Sequence, residues 1–318
     1  MIRWGILSTA RIADRILEGA RLAENSAEIV AVGSRNIARA QAYAAERGIA
    51  RAHGSYEDLL ADPDVDAVYI PLPNSMHVEW SIRALEAGKH VLCEKPMARD
   101  PAQVERAFDA AERAERVLME AFMWRFHVQT EELVRLVGTV GELRYVRAAF
   151  GFHLPFLENV RWLRELEGGA LMDVGCYCVS ALRLICGAEP ERVYGEQVVG
   201  GDGVDARFAG VLRFPGDVLG SFDCGMDVHR RNFIEVVASE ATIEVPSPWQ
   251  TPESALILVN GERVEPETVD PYARELEEFG RAVEGGSPPR LGRADAVAQA
   301  RAIEALYRSA EEGRAVRL

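Results

Sequence analysis

Through residue 121 the chain alternates short apolar runs with stretches of helical periodicity, and that rhythm restricts it to a small group of folds. Residues 2–7 read as a strand, and Ser8-Thr9-Ala10-Arg11-Ile12-Ala13 leads into a helix through about Ala23. Ile29 to Gly33 is a second strand, followed by a helix from Ile37 to about Arg47 and a short strand near Arg51-Ala52. Ser55 and Asp58 form an imperfect capping box for the next helical turn. Asp66 to Ile70 reads as a strand, His77 to Ala87 as a helix stopped by Gly88, and His90 to Cys93 as a strand. Val104 to Arg116 is helical and Val117 to Ala121 closes the series as a strand. Strands joined through helices run parallel, so the segment predicts a mostly parallel sheet covered on both faces. Its ligand crevice should lie beyond the carboxyl ends of those strands.

The rhythm changes after residue 122. Thr130 to Val137 is still helical, but much of 142–265 has strand periodicity. Ala206, Phe208, Gly210, Leu212 and Phe214 fall on one strand face, with the more polar Asp205, Arg207, Ala209, Val211 and Arg213 on the other. Pro215-Gly216-Asp217 turns into Val218 to Phe222, and Asn260-Gly261 signals a tight hairpin. Helices return at Tyr272 to Glu284 and Arg293 to Glu312, separated by Gly285-Gly286-Ser287-Pro288-Pro289. A chain of 318 residues exceeds the size at which single cores stop growing. The expected fold class is α/β, with a dinucleotide-binding domain at 1–122. A second α/β domain at 123–318 is built on a large open sheet, mainly antiparallel or mixed.

Acidic residues outnumber basic ones by 50 to 36, a formal charge of −14, and no long basic block interrupts the pattern. That balance argues against nucleic-acid or anionic-membrane partners. Neither a signal-peptide h-region nor an apolar run of membrane-spanning length is present, and five cysteines in a large chain point to a reducing compartment, the cytoplasm. Cys176-x-Cys178 lacks a second close pair and a nearby histidine, so no metal site is expected.

At the nucleotide end, Ser8-x-Ala10-x-x-Ala13 replaces the three-glycine spacing of a dinucleotide turn. Ser8 and Ala10 are small enough for a pyrophosphate to approach the backbone, which makes Ser8, Thr9, Ala10, Arg11 and Ile12 cofactor-binding candidates. Ser34-Arg35 follows the second strand where an acidic residue would grip the ribose hydroxyls of NAD. A hydroxyl and a guanidinium there suit a 2′-phosphate, so NADP is the expected cofactor and NAD the alternative. Pro71-Leu72-Pro73-Asn74 forms a candidate rim of the same crevice, and His77 either lines it or serves local hydrogen bonding.

Glu94-Lys95-Pro96 follows another strand at the same predicted edge. Proline disfavours helix at Lys95 and holds its amine at the strand end. A second constellation runs Gly168-Gly169 to Asp173 and Tyr177, four apart and on one face if the segment is helical. Arg125 and Arg161 are candidates to border a polar substrate, with Trp124, Phe152 and Trp162 as apolar faces; structural packing is the competing explanation for each.

Taken as a set, the small-residue turn, Pro73-Asn74, Glu94-Lys95-Pro96 and Gly168-Gly169 leading to Asp173 and Tyr177 resemble the Gfo/Idh/MocA oxidoreductase family over essentially the whole chain. The resemblance implies an N-terminal Rossmann domain and a C-terminal α/β domain whose open sheet forms homodimers or homotetramers. Trp4 to Ala13, Ser34-Arg35, Trp124-Arg125-Phe126 and Asn159-Val160-Arg161-Trp162 look like the branch of NADP-dependent aldose dehydrogenases and trans-dihydrodiol dehydrogenases. Tyr177, where many relatives have histidine, favours that branch over the inositol one.

The implied activity is hydride transfer between NADP and a hydroxyl or carbonyl carbon of an aldose, a related sugar or a trans-dihydrodiol. Lys95, Tyr177 and Asp173 are the catalytic candidates, and Glu94 and Lys95 also border the cofactor. Lys95, Arg125, Phe152, Arg161, Trp162, Asp173 and Tyr177 are the substrate-binding candidates. The rival readings are a non-enzymatic cofactor-sensing regulator and an enzyme of the same fold that uses NAD transiently in sugar cleavage or isomerisation.

Overall fold

A computed structural model describes residues 1–23, 27–155, 159–249 and 255–318. The first elements are β1 (Ile2–Leu7), α1 (Ala13–Leu22), β2 (Ala27–Gly33), α2 (Ile37–Arg47), β3 (Arg51–His53) and α3 (Tyr56–Leu60). They continue with β4 (Ala67–Ile70), α4 (His77–Glu86), β5 (His90–Glu94), α5 (Pro101–Ala114) and β6 (Leu118–Ala121). Next come α6 (Val128–Val137), β7 (Leu143–His153), α7 (Cys176–Cys186), β8 (Arg192–Val199), β9 (Asp205–Arg213) and β10 (Leu219–Gly225). The chain finishes with β11 (Asp227–Ala238), β12 (Thr242–Val245), β13 (Ile257–Val259), β14 (Glu262–Val264), α8 (Pro271–Val283), α9 (Arg293–Glu312) and β15 (Val316–Arg317).

The first six strands form one sheet in the order β3-β2-β1-β4-β5-β6, with parallel pairing throughout. This is the doubly wound order of dinucleotide-binding domains, and the strand order reverses between β1 and β4. Near-continuous apolar strands are what a sheet covered on both faces requires; β4 is buried along its whole length. Local signals act as expected: Ser55 Oγ accepts the Asp58 N–H at 3.0 Å at the start of α3.

The remaining strands form a nine-stranded sheet, β14-β13-β12-β11-β7-β10-β9-β8-β15. It is mixed, because β10 runs parallel to β7 while the other pairs are antiparallel. Asn260 and Gly261, both at positive φ, make the expected tight turn between β13 and β14. The segment Arg164–Cys186 is long and apolar enough to cross a membrane by length and composition, yet 78% of its most apolar window is buried. It is a core element of the second unit.

The chain divides into two compact units: Met1–Ala98, Ala102–Phe126 and Asp270–Val297 in the first, Arg99–Pro101, His127–Val269 and Ala298–Leu318 in the second. In this division α8 groups with the parallel sheet. Its apolar face packs on α1, where Gly19 has no Cβ to collide with Tyr272, and its Phe279 ring lies 4.8 Å from Trp4. Leu276 and Phe279 are fully buried there, a burial that at roughly 1.5–3 kcal/mol per large apolar side chain holds the returning helix in place.

Candidate functional site

In the first unit, the carboxyl ends of β1, β2, β4 and β5 carry the sequence-predicted nucleotide residues. Ser8 follows β1 at φ 133°, a conformation that favours glycine. Its hydroxyl donates to Pro71 O at 3.3 Å and accepts the Ala10 N–H at 3.2 Å, tying the β1 turn to the segment after β4. The α1 N-terminus has no side-chain cap. Ser8, Thr9 and Ala10 are partly exposed and Arg11 and Ile12 exposed, so the backbone of this turn is open to a ligand.

At the end of β2, Ser34 is buried, and its Oγ accepts the Asn36 N–H at 3.4 Å. Arg35 is exposed. Burial raises the Tyr56 phenol, while the charges of Arg35 and Arg39 and a hydrogen bond from Arg35 pull against it. Arg35 thus reaches the Tyr56 hydroxyl, and Arg39 acts on it by its charge. Arg39 was not legible as a site residue, although its i,i+4 spacing from Arg35 was the available signal.

Pro71 and Leu72 are buried and contribute carbonyls to Ser8 and His77, while Asn74 opens a short 3-10 turn. His77 is 1% exposed, with Nδ1 2.9 Å from Pro96 O and Nε2 2.8 Å from Leu72 O. Burial, with the Lys95 charge nearby, pulls it down to about 4 against the opposing effect of the two carbonyls, and a neutral ring, with one N–H, donates to only one of them. The ring thus lies between carbonyls of the segments that follow β4 and β5.

Glu94 accepts the Tyr69 hydroxyl at 2.5 Å and the Lys95 N–H at 3.2 Å. Burial and then the Glu94 carboxylate push the Tyr69 phenol well above its ordinary range, so it remains a donor. This fixes the backbone from which the partly exposed Lys95 projects. Arg125 is 8% exposed and ion-paired to Asp295 at 3.5 Å, an internal contact of the first unit.

In the second unit, the two glycines open a π-helical turn, Leu171–Gly175, that runs directly into α7. Asp173 lies in this turn and Tyr177 in the first turn of α7, so the segment is helical as the spacing required. Arg161 Nε meets Asp173 Oδ2 at 2.8 Å. Tyr177 packs edge-on against Phe150 at 5.3 Å between ring centroids and lies 5.9 Å from Trp249. Phe152 approaches Phe150 at 6.3 Å. Trp162 is 5% exposed and sits within the unit. Trp249 was missed; an isolated tryptophan beside Pro248 carries no periodic signal.

The helical turn is anchored from a distance. Asp205, 3% exposed, accepts the Leu171 N–H at 2.6 Å and the Tyr307 hydroxyl at 2.8 Å. Burial raises this carboxyl to about 6, against the Leu171 and Tyr307 hydrogen bonds and the Arg99 charge. No group of three or more His, Cys, Asp or Glu side chains able to hold a metal occurs among the described residues.

A six-stranded parallel sheet in doubly wound order, with an open small-residue turn at its switch point, is the architecture of a dinucleotide-binding protein, here with a second, mixed sheet. The family model for the oxidoreductase family with an NAD-binding Rossmann fold, GFO/IDH/MocA, matches residues 2–122, and that for the GFO/IDH/MocA C-terminal domain matches 128–244. The chain belongs to the Gfo/Idh/MocA oxidoreductase family. It is 42% identical to D-xylose 1-dehydrogenase (NADP(+)) 2 of Haloferax volcanii, over 99% of each chain. It is 37% identical to trans-1,2-dihydrobenzene-1,2-diol dehydrogenase of Mus musculus, over 83% of this chain and 79% of that one. Among solved structures, KijD10, a 3-ketoreductase from Actinomadura kijaniata in complex with NADP and TDP-benzene, superposes with a TM-score of 0.91 at 31% identity, covering 97% of each chain.

Proposed function

We propose that this protein is an NADP-dependent dehydrogenase or reductase that interconverts a hydroxyl and a carbonyl carbon on an aldose, a related sugar or a trans-dihydrodiol. The observation that carries the cofactor choice is the end of β2, where Arg35 reaches Tyr56 beside the buried Ser34 and no carboxylate follows the strand, with the Arg39 charge close by. Relatives that act on D-xylose with NADP(+) and on a dihydrobenzenediol support the substrate class.

Ser8, Thr9, Ala10, Arg11 and Ile12 hold the pyrophosphate through backbone amides, and Ser34, Arg35 and Arg39 hold the 2′-phosphate. Pro71, Leu72, Asn74, Glu94 and Lys95 border the remainder. When bound, NADP supplies or accepts the hydride. Tyr177 takes the substrate hydroxyl proton in the oxidising direction and returns it in the reducing one. Lys95 stabilises the negative charge that develops on the substrate oxygen. Asp173, fixed by Arg161, orients a substrate hydroxyl, and Phe152 supplies an apolar wall.

The exposed Tyr145, Val198, Val199 and Val211 support a homodimer or homotetramer formed through the second sheet. Five free cysteines support a cytoplasmic setting.

Two substitutions test this reading. Arg35→Ala should weaken NADP binding by roughly tenfold to a hundredfold while leaving NAD binding within about twofold. Equal NADP affinity in both proteins would remove the phosphate contact. Tyr177→Phe should lower kcat with D-xylose by at least about a hundredfold. Near-wild-type turnover would sink its proton-transfer role.

A further inference from the structure

Asn232 of β11 stands opposite Phe150 of β7 in the antiparallel register, so the two side chains leave the sheet on the same face. That face buries Ile234 and Val236, and on it Phe150 meets Tyr177 edge-on at 5.3 Å and stacks with Trp249 at 5.9 Å. Both carboxamide atoms of Asn232 are shielded from solvent, and neither has a hydrogen-bond partner among the described residues. Interior amides in native proteins are nearly always paired, and an unpaired one penalises folding without a structural return. Leucine would fill a similar volume without that penalty.

The indole of Trp249, whose ring stacks with Phe150, is engaged elsewhere: its Nε1 donates to Ala149 O at 2.8 Å. The Asn232 carboxamide thus offers one donor group and one acceptor, opposite the Phe150 ring that Tyr177 packs against. A hydroxyl group, which both gives and takes a hydrogen bond, matches that pair.

We propose that Asn232 is a specificity-determining residue that binds the substrate hydroxyl on the carbon next to the reacting one, so that the site selects vicinal diols. This inference rests on the reading of Tyr177 as the proton-transfer group. A buried amide that pairs only with substrate discriminates strongly, because an analogue lacking the hydroxyl leaves it unpaired. Sugars and trans-dihydrodiols share this adjacent hydroxyl, which makes one residue serve both classes.

The test is steady-state kinetics of wild type and Asn232→Leu with NADP(+), using D-xylose and 2-deoxy-D-xylose, alongside thermal melting. Wild type should favour D-xylose, and the variant should raise KM for D-xylose by about tenfold to a hundredfold with kcat changed by less than about threefold. Its preference between the two sugars should fall to within about threefold, and its Tm should stay within about 2 °C of wild type or rise. A preference unchanged by the substitution, equal losses on both sugars, a wild type indifferent to the 2-hydroxyl, or a large fall in Tm would overturn the proposal. Tyr177→Phe with intact turnover would instead defeat the underlying reading. A wild type inactive on both D-xylose and trans-1,2-dihydrobenzene-1,2-diol would defeat both.

Discussion

The turn after β1 and the turn before α7 both need backbone angles that glycine adopts most easily, yet one carries serine and the other glycine. Ser8 sits at φ 133° and Gly169 at φ 122°. The Ser8 side chain has room, and its hydroxyl bridges Pro71 O and the Ala10 N–H. At Gly169 the position of a Cβ is already occupied: it would lie 2.1 Å from Asp205 Oδ1 and 3.1 Å from the Tyr307 hydroxyl. At Gly168 it would lie 2.2 Å from Arg161 O. A positive φ therefore tolerates a side chain when that side chain recovers hydrogen bonds, at a cost of about 1–3 kcal/mol. Glycine becomes obligatory when another residue fills the space.

The sharpest way to break this comparison is Gly169→Ala. The methyl group would displace Asp205 from Leu171 N and Tyr307, adding overpacking to backbone strain, for a loss of about 3–5 kcal/mol in denaturant unfolding. Turnover should collapse with it, because the displaced cap holds the turn that carries Asp173 and leads to Tyr177. A variant with wild-type stability would show that the carboxylate does not occupy the glycine slot.

Asp205→Asn probes the occupant. Burial raises the folded-state carboxyl from 3.8 to about 6, so the folded state binds this proton more tightly than the unfolded chain. The stability it contributes is fully present below about pH 4 and is lost as pH rises through 6, a change of roughly 3 kcal/mol. Asparagine does not titrate. Although it should weaken the Tyr307 contact, the stability gap between variant and wild type should move in favour of the variant by up to that amount from pH 4 to pH 7. Parallel pH profiles would refute the buried, proton-binding carboxylate.

Both turns were visible in the sequence as small-residue motifs; the difference between them was not. Local periodicity placed β1 at 2–7 and α9 at 293–312, and the Ser55 cap and the Asn260-Gly261 turn are likewise settled by neighbours in sequence. Asp205 lies 34 residues from the Leu171 N–H that it caps, and no local pattern encodes such a pairing. The same limit hid the parallel pairing of β7 with β10 and the return of α8 to the first unit, since each depends on which apolar face finds which partner. Among the proposed site residues, Lys95 and Tyr177 could be put forward from the sequence because a strand end and helical spacing single them out. Arg39, Trp249 and Asn232 gain meaning only from the side chains beside them.

The smallest and most discriminating effects belong to Ser8. Ser8→Ala keeps a Cβ at the unfavourable φ but removes the hydroxyl from Pro71 O and the Ala10 N–H, and it should destabilise by about 1 kcal/mol. Ser8→Gly loses the same hydrogen bonds while relieving the strain, so it should fall within about 1 kcal/mol of wild type and above the alanine variant. The ordering separates the two contributions, because strain is common to serine and alanine and the hydroxyl is unique to serine. If the alanine variant matched wild type, the hydroxyl bridge would contribute nothing, and serine at this turn would need another explanation. If the glycine variant were the least stable of the three, rigidity rather than hydrogen bonding would be what the side chain supplies, and NADP affinity should then fall in the same order as stability.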